Sequence, residues 1–193
     1  MNEPSSRRSS PLYELARKIR DTANLLEEHE LFRSHKVGNW QRLSSCLDAV
    51  EDTELACIAY RDRPFPEDLD EQHLRIYGLL QALFAQQNAV GHISEQLGLE
   101  YDPKHDFPDL FRIRQVRNHC VGHATASSNK GKLSYSFISR PTIRHEGFEL
   151  LVFSENGNFH NETVEPLALI DKQTDVLEKV LVDVLEALHT RCR

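Results

Sequence analysis

A chain of 193 residues with a formal charge of −7 and four cysteines is long enough to bury a core, and too poor in cysteine for the disulfide framework of a small secreted domain. It has no apolar run of about 18 residues that would cross a membrane. Its opening MNEPSSRRSSP lacks the apolar stretch of an export signal, so the expectation is one domain in the cytoplasm.

Residues 1–10 are polar and aperiodic, which predicts a disordered lead-in to a single domain over 11–193. Pro11 opens a helix whose apolar stripe runs through Leu12, Leu15, Ile19, Ala23 and Leu26. A second helix is predicted from about Trp40 to Tyr60, through Leu43, Leu47, Val50, Ala56, Cys57 and Tyr60, stopped by Pro64 and Pro66 and paired with the first as a hairpin. The longest helical pattern runs from Leu69 to Leu97 on Leu74, Tyr77, Leu80, Phe84 and Ile93, with Gly98 as its stop. Its polar cluster Gln86-Gln87-Asn88 reads either as a solvated face or as a buried polar layer.

Two prolines in 101–108 make a loop before a short helix beginning near Asp109. The period then changes: Leu133, Tyr135 and Phe137 alternate, Phe148, Leu150 and Val152 do the same, and Asn156-Gly157 signals a hairpin. This predicts a two- or three-stranded antiparallel meander over about 132–164. Helical spacing returns from Leu167 to Leu188. The fold class is therefore mainly α, a helical bundle with a small antiparallel meander inserted before the last helix.

Charge is distributed unevenly. Between Phe111 and His145 there are seven cations (Arg112, Arg114, Arg117, Lys130, Lys132, Arg140 and Arg144) and no Asp or Glu. In an acidic chain this segment is either a solvated stretch or the local basic patch that a polyanion needs. Within it stand Arg117, Asn118 and, after a gap of five residues, His123.

An arginine, a small polar residue and a histidine at this spacing resemble the R-x(4–6)-H motif of the HEPN superfamily. The resemblance implies an all-helical up-and-down bundle and a homodimer in which two copies of the motif line one cleft. It further implies a metal-independent endoribonuclease, often a toxin or defence effector, or else a non-catalytic module that binds RNA or a protein partner. The residue types suit the chemistry: histidine titrates near neutrality, and arginine stays charged and grips phosphate. Arg117, Asn118 and His123 are the candidate catalytic residues, with Arg112, Arg114, Lys130, Lys132 and Arg140 as RNA contacts. On a regular helix, positions six apart diverge by about 120°, so a helix end at Gly122 is needed to bring His123 towards Arg117. The competing reading makes Arg117 a helix-end cap or ion-pair partner, and His123 a donor to a backbone carbonyl.

Other sites are weaker. His119, Cys120 and His123 lack the accompanying ligands of a zinc motif, no glycine pattern cradles phosphate, and neither metal nor cofactor is expected. Tyr135 and Phe137 read either as packing of the sheet on the bundle or as stacking platforms for RNA bases.

Overall fold

The computed structural model describes residues 10–25, 39–122, 127–129 and 132–191. Among these it has five α-helices, α1 (Pro11–Leu25), α2 (Asn39–Asp62), α3 (Leu69–Gln96), α4 (Pro108–Arg117) and α5 (Pro166–Arg191). A π-helical turn, Asn118–Gly122, continues α4. Strands β1 (Ser127–Asn129), β2 (Lys132–Ile138), β3 (Phe148–Ser154) and β4 (Phe159–Val164) form an antiparallel sheet in the order β1-β2-β3-β4. The chain is thus mainly α, with a small sheet before its last helix.

The helices follow their apolar stripes. Leu12, Leu15, Ala16, Ile19 and Ala23 of α1 are all buried, and they join Leu43, Leu47 and Val50 of α2, Leu79, Leu83, Val90 and Ile93 of α3, Leu110 and Ile113 of α4, and Leu177, Leu181, Val184 and Leu188 of α5 in the main core. Removing such side chains from water is the chief stabilising term, about 1.5–3 kcal/mol for each large one. Arg20 ties α1 to α2 through Ser44, Asp48 and Glu51. Ser10, counted with the lead-in by sequence, belongs to the fold: it is buried, and its Oγ and carbonyl accept the backbone N–H groups of Tyr13 and Glu14. Residues 1–9 and Leu26 lie outside the described residues. No helix among the described residues is long and apolar enough to cross a membrane.

One phase assignment needs correction, and for Tyr135 and Phe137 the packing alternative falls. Leu74 and Tyr77, expected inside, are 72% and 39% exposed, whereas Ile76, Leu79, Leu80 and Leu83 are buried. Helix α3 is apolar on more than one side, so its pattern did not single out the packed stripe. In β2 the buried residues are Ser136 and Ile138, while Tyr135 and Phe137 are 45% and 51% exposed. Alternation reveals a strand but not which face turns inward, and a shift of one residue exchanges the two faces.

The sheet has one strand more than expected. β1 consists of Ser-Ser-Asn, with no apolar alternation to announce it, and pairs with β2 through Asn129 opposite Lys132. The β3–β4 hairpin turns at Gly157, whose φ of 81° suits glycine, and the Gly157 N–H donates to the Ser154 carbonyl. The inner face, with Ile138, Phe148, Leu150 and Val164, closes over Ile76, Leu80, Val116 and Cys120 as a second core. That packing fixes the sheet beside the end of α4.

Candidate functional site

Helix α4 begins with Pro108 at its first position, where a missing N–H costs nothing. It buries Leu110, Ile113 and Val116, which leaves Arg114 and Arg117, one turn apart, directed towards α3. Both guanidiniums stack on Phe84 of that helix, with Cζ at 4.8 and 4.4 Å from the ring centroid.

Arg117 is held at every nitrogen. Nε and Nη2 donate to Oε1 of Gln81 at 3.2 and 2.9 Å, and Nη1 donates to Oδ1 of Asn118 at 3.0 Å. The widened π turn then brings Gly122 back over this pair. A Cβ at position 122 would lie 2.6 Å from Arg117 Nη1 and 3.2 Å from Asn118 Oδ1, so any side chain there must push the guanidinium out of this position. Arg117, Asn118 and Gly122 therefore form one unit. His123 lies outside the described residues, as does Lys130.

Arg114 donates from Nε to Gln87 Oε1 and from Nη2 to Asn88 Oδ1, each at 2.7 Å. Behind it a buried polar layer crosses the bundle. Gln87 donates to Gln173 (2.7 Å), Gln173 to Gln86 (2.8 Å) and Gln86 to Glu54 (3.0 Å), whose other oxygen accepts the Ser10 hydroxyl at 2.8 Å. Every donor points from Arg114 towards Glu54, so a half-buried cation and a buried anion terminate one polarised chain of amides. Gln86 and Gln87 of the Gln86-Gln87-Asn88 cluster belong to this layer rather than to a solvated face, and half-buried Asn88 stands at its Arg114 end. The sequence signal for its partners was slight, because Gln173, on another helix, looks like any surface glutamine.

The remaining candidates are placed differently. Arg112 forms an ion pair with Glu162 of β4. Arg140 is exposed in a 3-10 turn beyond β2, and Lys132 opens β2. Burial, aided by the charge of Arg112, pulls the His119 pKa below its usual value, and the His119 carbonyl accepts the Ser136 hydroxyl at 2.7 Å. Burial pushes the Cys120 thiol up to about 12, which leaves it a poor nucleophile. Among the described residues no three His, Cys, Asp or Glu side chains gather as a metal-binding group.

Sequence reasoning missed Gln81 and Phe84, the two residues of α3 that position Arg117. Their spacing with Asn88, three and then four residues, puts all three on one helical face, and that was the available sign. Comparison with protein-family models, with curated proteins and with solved structures gives no match, so the site is read from its own residues.

Proposed function

We propose that this chain is a HEPN-like, metal-independent endoribonuclease of the cytoplasm, acting in defence or as a toxin, with Arg117, Asn118 and His123 as its reacting centre. The observation that carries the reading is the chemistry of the arginine partners. Among the described residues Arg114 and Arg117 have no carboxylate at ion-pair distance, and neutral amide oxygens orient both. Their charge is preorganised yet uncompensated, the state that an anion-binding site requires.

In this reading His123 takes the proton of an RNA 2′-hydroxyl, whose oxygen attacks the adjacent phosphorus. The bond to the 5′-oxygen breaks, and Arg117 stabilises the charge that builds on the phosphoryl oxygens. A second copy of the chain brings the same residues to the other side of the cleft and supplies the proton for the leaving oxygen. Asn118 holds Arg117 in place.

The test is cleavage of a mixed-sequence single-stranded RNA in the presence of EDTA by wild type, Arg117→Ala and His123→Ala, each checked for folding by circular dichroism. Cleavage by the wild type alone is expected. Equal cleavage by all three, or none by any, counts against the nuclease.

A separate observation favours a second reading, a non-catalytic interaction module. Tyr135 and Phe153 are paired across β2 and β3, and Phe153 and Phe159 across β3 and β4. Phe153 stacks on Phe137 at 5.6 Å and meets Phe159 at 5.0 Å. This aromatic row covers the outer face of the sheet, where it suits a protein surface or RNA bases. A stable complex without cleavage, lost in Phe137→Ser, is the result that selects it.

A further inference from the structure

Strand β4 ends the sheet, and among the described residues no further strand pairs with its far side. Its hairpin decides which backbone groups are left over. The Ser154 N–H donates to the Asn158 carbonyl. In the alternating antiparallel ladder, His160, Glu162 and Val164 therefore turn their N–H and C=O groups towards β3, while Phe159, Asn161 and Thr163 turn theirs away from it.

Such edges are normally blunted by short length, lysine, proline or a bulge. The opposite edge, β1, is only three residues long. β4 has six residues, Phe-His-Asn-Glu-Thr-Val, with neither lysine nor proline, and its register with β3 runs on without a bulge. Phe159, its first residue, is 56% exposed and meets Phe153 at the rim of the aromatic row.

We propose that β4 is a pairing edge for a second copy of this chain, the two strands lying antiparallel about a two-fold axis at Asn161 and joining two four-stranded sheets into one. In this register Phe159 lies opposite the partner's Thr163, and Asn161 opposite the partner's Asn161. Each such pair exchanges two N–H···O bonds, so every outward-turned residue of both strands is used. His160 stands opposite the partner's Glu162, a complementary pairing of side chains that already approach to 3.7 Å within one chain. Other registers are worse. Centred on Glu162, two carboxylates face each other and Phe159 runs past the end of the strand; centred on His160, Thr163 falls opposite Gly157 in the turn. Residues directly opposite share a face of the sheet, so the Phe159 ring gains a neighbour on its open side. The pairing is carried by β4 alone and does not rest on the nuclease reading.

The experiment is sedimentation velocity of the full chain over a concentration series, for wild type, Asn161→Pro and Asn161→Lys, with amide hydrogen exchange on the wild type. The wild type is expected to dimerise, and in the dimer the Asn161 and Thr163 amides exchange as slowly as those of Glu162 and Val164. Asn161→Pro removes an N–H that points away from β3, so the hairpin is retained. Asn161→Lys leaves the backbone intact and sets two ammonium groups face to face. Each is expected to weaken the dimer at least about tenfold. Disulfide formation reads the register: under mild oxidation Asn161→Cys links to its own copy, because bonded partners lie about 5.5 Å apart at Cα, whereas Thr163→Cys links no more than wild type. A monomer at every concentration, a dimer undiminished by Asn161→Lys, or linkage at 163 rather than 161 overturns the proposal. A dimer that survives both Asn161 variants while RNA is cleaved leaves the nuclease standing with its interface elsewhere, and an edge dimer without cleavage overturns the nuclease alone.

Discussion

Arg112 and Arg117 lie on one short helix, and their surroundings treat them in opposite ways. Arg112 meets the carboxylate of Glu162, so its charge is matched within the fold. Among the described residues Arg117 lies over the Phe84 ring and donates to the amide oxygens of Gln81 and Asn118, with no carboxylate at ion-pair distance, so its side chain is fixed while its charge is not matched. The contrast teaches that a basic run in a sequence is not a basic site. The partner's chemistry decides whether a guanidinium is structural or available, and that partner comes from an element distant in sequence.

The comparison breaks most readily from inside. Gln173→Leu takes from Gln87 the closer of its two acceptors, leaving the Leu110 carbonyl at 3.3 Å, and strips Gln86 Oε1 of its donor, and a loss of about 2 kcal/mol is expected in urea unfolding. A loss below about 1 kcal/mol shows that the layer relaxes without Gln173. At Arg117, replacement by alanine is expected to lower RNA cleavage about 100-fold, the usual scale for removing one electrostatic contact to a transition state. A change within about twofold assigns Arg117 to the same structural class as Arg112.

Gly122→Ala tests whether orientation matters beyond charge. The new methyl must displace the Arg117 guanidinium, so cleavage is expected to fall about tenfold while the urea midpoint moves little. Glu162→Gln works in the other direction by releasing Arg112. Affinity for single-stranded RNA at low salt is expected to rise about threefold, with the salt slope steeper by about 0.7. An unchanged slope means that Arg112 is out of reach of the strand.

The smallest effect concerns His119. Burial and the charge of Arg112 disfavour its protonated form in the fold, so the folded state binds a proton less readily than the unfolded chain does. Its contribution leaves stability untouched at pH 8 and lowers it as pH falls through the unfolded value of about 6.5. His119→Gln is expected to flatten that part of the curve of urea midpoint against pH. An identical slope assigns the change to other groups.

Much of the architecture was legible in the chain itself. Apolar residues three and four apart marked α1, α2 and α5, because a helix packed on one side repeats its buried stripe at that spacing. Asn156-Gly157 marked a hairpin because few other pairs reach its backbone angles. The polar Gln86-Gln87-Asn88 cluster was visible, as was the spacing of Arg117, Asn118 and Gly122. Tertiary structure alone decided what these features do. It paired Gln173 with Gln86 and Gln87, turned Tyr135 and Phe137 outward, gave Arg112 a carboxylate, and set Gln81 and Phe84 beneath Arg117. Periodicity reports how a segment contacts its surroundings as a whole, whereas hydrogen bonding and charge pairing depend on which atoms distant segments bring within about 3 Å, and a local pattern carries no record of that meeting.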